Sequence, residues 1–490
     1  MSPMHALRAL TMARSARITA LAVPAAISLA LLAGSAAVAN VGLTRVSHDI
    51  YTDSQAQHRT EVEPDTFQAG ATIVSAFQVG RVFGGGASNI GWSTSTNGGA
   101  TWSHGYLPGV THNGGGPFGQ ASDAAVAYDA KHKVWLIASL GLNLPTVDVL
   151  ASRSTNGGRT WGKPVTVATG GNDKSWIVCD NTAASPQYGN CYTEWDNTNA
   201  GELLSMSTSS NGGVSWGPAR SPGGNDRGVG GQPLVLPNGD VVVPYLSNGG
   251  QIRSFRSTDG GASWGSSVLV SGVRESAVRG GLRAPDLPSA AVDAAGTVYV
   301  AWSDCRFRAG CSSNDIVIAK SADGTTWAAP VRVPIDATSS TADHFIPGLD
   351  VDRSTAGSGA RIGLTYYYYP NAACGSSTCQ LDAGFISSVN GGASWSAPAQ
   401  LAGPMKLSWL ANTSQGRMFG DYISTSVLPG GNAYPVISVA KAPSGATFNQ
   451  AMYTPTGGLA ITGGGRAASA AHAYHVTRRT GRPTVPRTVR

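Results

Sequence analysis

One short pattern occurs six times and limits what this chain can fold into more than any other feature. It reads Ser95-Thr-Asn97-Gly-Gly-Ala-Thr-Trp102, Ser154-Thr-Asn156-Gly-Gly-Arg-Thr-Trp161, Ser209-Ser-Asn211-Gly-Gly-Val-Ser-Trp216, Ser257-Thr-Asp259-Gly-Gly-Ala-Ser-Trp264, Ser321-Ala-Asp323-Gly-Thr-Thr-Trp327 and Ser388-Val-Asn390-Gly-Gly-Ala-Ser-Trp395. Asn-Gly and Asp-Gly accept the positive φ angles of a tight hairpin turn, and Ser, Asn and Asp side chains hydrogen-bond the backbone of such a turn. The tryptophan is suited to fill a seam between sheets, where its burial is worth on the order of 2–3 kcal/mol. Successive tryptophans stand 59, 55, 48, 63 and 68 residues apart. A period of this size marks repeated supersecondary units.

Each unit reads as strand. Apolar and polar residues alternate over 124–128, a second apolar run covers 134–138, and a third, 147–152, leads into the repeat. Residues 41–462 hold about seven units of the mean repeat length. The unit without the pattern, 418–455, has three strand-like runs at 422–428, 434–440 and 448–453, so its missing strand is expected from residues 41–50. Joining the two ends of the chain in this way closes a ring and removes the open sheet edge.

The repeat resembles the Asp-box, the S-x-D-x-G-x-T-W signature of sialidase-superfamily propellers. The resemblance implies an all-β fold, a seven-bladed (alternatively six-bladed) β-propeller with Asp-box hairpins on its outer rim, and a working site at one mouth of the central channel. It also implies site residues: an R-I-P motif on the first blade, two further arginines completing a carboxylate clamp, an Asp acid/base, and a Tyr paired with a Glu. Here the first blade reads Glu61-Val-Glu63-Pro64, with an acid where the first arginine stands, and the nearest similar string is His344-Phe-Ile-Pro347. On blade count and on its channel histidine, the chain looks more like the seven-bladed lyases and hydrolases of this fold class that act on rhamnose–glucuronate side chains of plant gums.

Arg8, Arg14 and Arg17 precede an apolar run over 18–32, and Ala37-Val38-Ala39 supplies a small-x-small cleavage signature, so 1–39 reads as an export signal. The run is short for a membrane span. The six cysteines form three close pairs, Cys179/Cys191, Cys305/Cys311 and Cys374/Cys379, expected to bridge locally in an oxidising compartment, and none has zinc-site spacing. The formal charge of +6 misleads: nine arginines lie in the leader and after Gly463, leaving 25 bases against 28 acids in 40–462, a net charge of −3. No electrostatic footprint for nucleic acid follows from that balance. Residues 463–490 read as a disordered basic tail. The expectation is a secreted monomer, not embedded in a membrane, with 40–462 as its single propeller domain.

Two G-x-S-x-G strings, Gly213–Gly217 and Gly261–Gly265, fall inside the repeats and lack the strand-turn-helix setting of a nucleophile elbow. The stretch Asp196-Asn-Thr-Asn-Ala-Gly201-Glu202 has a calcium-loop flavour, but Thr198 and Ala200 stand at ligand positions, so a turn is the reading. The informative residues lie at the ends of inner strands, which line the channel. Charged groups there are costly to bury unpaired, so a row of them points to a polar site. His344, Tyr422, Asp123 and Asp421 are the catalytic candidates. Arg283, Arg306, Arg81, Glu63, Asp173, Lys174, Glu194, Gln232 and Asp304 are the substrate-binding candidates, with Arg283 and Arg306 suited to a carboxylate by their bidentate fork. The expected partner is an acidic, uronate-bearing extracellular glycan, cleaved by a lyase or hydrolase; exo-α-sialidase activity and a non-catalytic glycan- or protein-binding propeller are the alternatives. No cofactor is specified by the sequence beyond a structural Ca2+ in the channel as a candidate.

Overall fold

A computed structural model of the protein describes residues 41–470; the export-signal segment and the basic stretch from 471 onward lie outside the described residues. The described chain is all-β, with antiparallel sheets in a β-propeller arrangement. Its first strands follow one another around an axis: Glu61–Ala69, Gln120–Asp129, Asn172–Cys179, Leu234–Val235, Ser289–Val292, Asp343–Val351 and Ser424–Val427, which packs back on Glu61–Ala69. Leu43–Arg45 adds to the edge of Thr447–Pro455, with Leu43 opposite Pro455, so the start of the described chain completes the last sheet as the missing strand predicted.

Five sheets hold four or more strands, which is neither seven nor six separate four-stranded blades. The causes are local. Pairing of Ala87 with Ala121 fuses the meander that starts at Glu61 to the one that starts at Gln120, giving one eight-stranded sheet. The sheet of Asn172–Cys179, Cys191–Asn197 and Leu203–Ser209 stops at three strands, because the chain beyond meets its edge at isolated bridges such as Leu203–Arg227 and Met206–Arg220 and not as a continuous strand. The segment expected to be a tail from 463 begins inside the fold. Arg466–Ala467 pairs with Ser394–Trp395, and Ser469–Ala470 pairs with Val331–Arg332, satisfying backbone groups at two sheet edges.

The six repeat segments share one turn hydrogen bond, in which a glycine N–H donates to the hydroxyl of the repeat's serine. In the first, the Ser95 hydroxyl accepts from Gly99 N at 2.8 Å, the Asn97 side-chain oxygen accepts from Thr101 N at 2.9 Å, and Trp102 Nε1 donates to Gly99 O at 3.1 Å. The same Ser-to-glycine bond recurs at Gly158, Gly213, Gly261, Gly324 and Gly392. Each turn leans on the preceding unit. Gly158, at φ +75°, sits where a Cβ would come 2.7 Å from Val74, and its carbonyl accepts from Thr94 Oγ1. Glycine here serves the turn and the close approach together.

Inner strands are stitched by side chains reaching the neighbour's backbone. Asp65 accepts from Val126 N, Gln232 from Ala290 N, Ser289 from Leu349 N and Asp350 from Val427 N. These bonds meet the demand of buried N–H groups that the ladders leave open. Disulfides join Cys179–Cys191, Cys305–Cys311 and Cys374–Cys379. Among the described residues no helix is long and apolar enough to cross a membrane.

Candidate functional site

Four inner strands carry a register shift of the β-bulge kind: between Val62 and Asp65, Ser122 and Ala125, Asp173 and Trp176, and Phe345 and Gly348. Within each bulge one non-glycine residue is left-handed: Glu63 at φ 55°, Asp123 at 46°, Lys174 at 51° and Ile346 at 49°. Such residues cost about 1–2 kcal/mol each and are kept where the surroundings demand the direction they give. Three of the four are charged, and they meet.

Lys174 is the hub. Its Nζ lies 2.6 Å from Asp421 Oδ2, 3.5 Å from Asp123 Oδ1 and 3.6 Å from Glu63 Oε1. Arg283 grips Asp421 from the other side in a bidentate pair, with Nε to Oδ1 at 2.7 Å and the second contact to Oδ2. Asp421 N donates to Glu63 Oε1 at 3.2 Å. Gln78 donates to both Glu63 and the Ser122 hydroxyl, and accepts from Arg81. Tyr422 donates to Ala124 O, and its ring lies 5.9 Å from Lys174 Nζ and edge-on to Trp176. Three carboxylates thus face three cations, and none of the six side chains is more than slightly exposed.

The shared setting drives the carboxyls apart in acidity. Burial pushes Glu63 up to about 7, with Lys174 opposing and Asp123 and Asp421 adding to the rise. Asp123 is likewise raised, first by burial. Asp421 also feels burial, but Arg283 and Lys174 overcome it and hold its carboxyl well below the usual range. Lys174 moves up, burial being outweighed by its three carboxylates. Arg81 is lowered to about 10 by burial and then by Arg283.

A cavity lined by Lys174, Ser175, Trp176, Gly230, Gln232, Leu287, Pro288 and Tyr422 borders this cluster. Trp176 and Gln232 also line the wider channel beyond, with Asp65, Ser289, Asp350 and Arg353. Overhead, Arg283 N donates to Arg417 O and Arg417 N to Gly281 O, so the hairpin of Ala411–Thr413 and Gly416–Met418 is tied to the segment that carries Arg283.

The structure brings together Glu63, Arg81, Asp123, Lys174, Arg283, Asp421 and Tyr422, and Gln232 shares their cavity. Asp173 stands beside Lys174 and accepts its backbone N–H at 3.0 Å, while Glu194 and Asp196 follow on the adjacent strand. Arg306 and Asp304 do not join. They pair with each other, Arg306 Nε to Asp304 Oδ1 at 2.8 Å, with the guanidinium over Trp302 beside the Cys305–Cys311 bridge. His344 does not join either. It is buried against Tyr366 and Tyr368 near Asp315 and Asp336, a pair held by Arg308 and Arg332, and burial lowers it to about 4. Asp315, Asp336 and His344 could together offer atoms to a metal, but two guanidiniums already neutralise both carboxylates. Sequence reasoning missed Trp176, although an aromatic residue beside a charged bulge was a visible signal. It also missed Arg308 and Arg332, which have no motif to mark them.

No family model matches the chain, and no curated protein matches it. Among solved structures, a protein of unknown function from Dyadobacter fermentans is similar at 16% identity and TM-score 0.45, over 71% of this chain and 100% of that one. The Hadza microbial sialidase Hz136 is similar at 16% identity and TM-score 0.42, over 63% of this chain and 64% of that one. The NanB sialidase of Streptococcus pneumoniae is similar at 14% identity and TM-score 0.42, over 84% of this chain and 69% of that one. Scores of this size leave the reading of the site to its own residues.

Proposed function

We propose that this chain is a secreted glycan-cleaving propeller that acts on an acidic, uronate-bearing glycan at the Lys174 cluster. The observation that carries this reading is the convergence of Glu63, Asp123 and Lys174 from three strained bulges onto Asp421. Two carboxyls raised by burial beside one held ionised is the arrangement that separates a proton donor from a permanent carboxylate. Glu63, with Asp123, donates or takes the proton. Asp421 stays charged, and Lys174 and Arg283 balance it. In a hydrolase the protonated carboxyl assists the leaving oxygen while Asp421 faces the developing positive charge. In a lyase the same carboxyl, once ionised, removes the proton next to the uronate carboxylate, while Tyr422, raised by burial and donating to Ala124 O, stays protonated. Trp176 and Tyr422 offer apolar rings to the sugar's C–H faces. Arg283 and Arg306 already hold Asp421 and Asp304, so a substrate carboxylate binds by exchange for one of these partners.

Export is part of the same proposal and is supported by the leader pattern and the three disulfides. So is a ring of seven units, supported by the closed order of first strands if the fused sheet counts as two. The test is a screen of mature protein on gums, pectins and arabinans, read by reducing ends and by absorbance of unsaturated products. Turnover that is lost in Asp123→Asn and Glu63→Gln supports the reading; no turnover on any of them by the wild type defeats it. Binding without turnover would favour a non-catalytic propeller, a second reading supported by the ion pairing of Lys174 and Arg283 within the cluster.

A further inference from the structure

Glu63 and Asp123 stand on inner strands that pack together, each the left-handed residue of its bulge, and both are fully buried. They differ in what is offered to their oxygens. Gln78 Nε2 donates to Glu63 Oε2, Asp421 N donates to Glu63 Oε1 at 3.2 Å, and Lys174 Nζ lies 3.6 Å from that second oxygen. Neither oxygen of Asp123 accepts a hydrogen bond, and Lys174 Nζ stands 3.5 Å from its Oδ1.

One amide makes much of that difference. Gln78 lies on Thr72–Arg81, opposite Val62 in the ladder, and is itself fully buried. Its nitrogen donates to Glu63 and, at 3.0 Å, to the hydroxyl of Ser122, the residue before Asp123; its oxygen accepts from Arg81 Nη1 at 3.3 Å. Charge fixes this orientation, because a flipped amide would turn its oxygen to the Glu63 carboxylate and its N–H groups to a guanidinium. Donors favour the ionised form of a carboxyl, and burial without donors favours the protonated form. Burial acts on both carboxyls, and so do the neighbouring charges. Lys174 and Arg283 favour ionisation of each, Asp421 opposes it at each, Asp123 opposes it at Glu63, and Asp173 opposes it at Asp123. We propose that Gln78 is a positioning residue that, by donating to Glu63 and to Ser122, holds Glu63 as the ionised member of the pair and leaves the proton on Asp123. Its consequence for catalysis rests on the reading that the Lys174 cluster cleaves a glycan. Asp123 then gives its proton to the leaving oxygen as the C–O bond breaks. In a hydrolase Glu63 takes a proton from the water whose oxygen bonds to the anomeric carbon. In a lyase it takes the proton next to the uronate carboxylate, and the electrons of that C–H bond become the new C=C bond.

Gln78→Met and Gln78→Glu both remove the donor to Glu63, and the second keeps an acceptor for Arg81. On a glycan that the wild type turns over, the acidic limb of the kcat/KM profile reports ionisation of Glu63. That limb is expected to move up by about one pH unit or more in both variants, with the alkaline limb in place. Slower turnover with both limbs unmoved would show a merely structural role and overturn the proposal. A readout without substrate separates the proposal from the reading it rests on. It is an infrared titration of the mature chain, with the C=O stretch of each protonated carboxyl assigned by its loss in Asp123→Asn and in Glu63→Gln. Glu63 is expected to lose its proton at lower pH than Asp123 in wild type, and about one pH unit higher in Gln78→Met than in wild type. The reverse order in wild type, or no shift in Gln78→Met, would overturn the proposal whether or not any glycan is cleaved. If no glycan is cleaved while the order and the shift are found, cleavage fails and the positioning of Glu63 by Gln78 stands. Should Gln78→Met fail to fold, Gln78→Glu and the wild-type order decide.

Discussion

Lys174 is the residue on which the candidate site turns, because it offsets Asp421, Asp123 and Glu63 from within hydrogen-bond or ion-pair reach. Removing one partner of a buried charge network leaves the others unpaired, a loss of about 3–5 kcal/mol. Lys174→Met is therefore expected to lower unfolding stability by that amount in urea titrations. A loss within the range of an exposed pair, under about 1 kcal/mol, would mean that water reaches the cluster. The same residues speak to sialic acid. A clamp for its carboxylate needs three converging arginines, and here Glu63 takes the first position by motif, Arg306 is occupied by Asp304, and Arg81 is turned to Gln78. The remaining arginine, Arg283, is bidentate to Asp421. A clamp short of one charge-assisted pair binds about ten- to a hundredfold more weakly. Purified protein is expected to release no appreciable 4-methylumbelliferone from its sialoside; robust release that is abolished by Arg283→Ala would reverse this.

At the scale of elements, the repeat turns make their own prediction. Gly157 and Gly158 both have positive φ, near 79° and 75°, so alanine at either costs about 1–2 kcal/mol of backbone strain. They differ in surroundings: a Cβ on Gly157 meets only Thr96 at 4.0 Å, whereas one on Gly158 comes 2.7 Å from Val74 and 3.0 Å from the Thr94 hydroxyl. Gly158→Ala is expected to be the more destabilising by thermal melting, because overpacking adds about 1–3 kcal/mol to the strain. Equal losses would show that the turn does not bear on its neighbour. These turns were legible from the sequence because they are local: Ser, Asn or Asp, Gly and Trp at fixed spacing dictate the bonds without knowledge of the rest. The joining of sheets was not. Whether Ala87 pairs with Ala121, or Arg466–Ala467 with Ser394–Trp395, depends on register between distant backbones that no side-chain pattern encodes. For the site, Glu63, Asp123 and Lys174 were legible as charges on inner strands. The place of His344 was not, since its surroundings of Asp315, Asp336, Arg308 and Arg332 are gathered from separate loops and strands. The sequence suggests Arg283 for a substrate carboxylate, but the chain itself supplies the carboxylate it holds, from Asp421, 138 residues further along the chain.

Over the whole molecule, burial has left many acids with raised pKa values, and this sets the direction in which pH moves stability. Asp49, Asp343, Asp350 and Asp382 are raised to about 6, Glu63 and Asp65 to about 7, and Glu61 to about 8, each first by burial. Asp65 and Asp350 are also two of the stitches between inner strands. In the unfolded chain these carboxyls titrate near 4, so between about pH 4 and pH 8 the folded state holds more protons than the unfolded state. Stability contributed by these groups is complete at low pH and is lost as pH rises from about 4 to about 8. Groups whose values are lowered act in the opposite sense, Asp421 and His344 among them. Asp421 is lowered by Arg283 and Lys174, and His344 is lowered to about 4 by burial, so the unfolded state binds more protons at those sites and stability falls as pH drops below their ordinary ranges. Seven raised acids outweigh the histidine above about pH 5, where Asp421 is ionised in both states. The melting temperature is therefore expected to be higher near pH 5.5 than near pH 8.5, with the decline steepest below about pH 6, where all seven groups differ between the two states, and levelling off by about 8. Asp65→Asn should flatten part of it, because the amide oxygen can still accept from Val126 N and carries no charge to desolvate. A melting temperature that is level or rises over the same interval would mean that these carboxyls are hydrated in solution and that the channel walls are open to water.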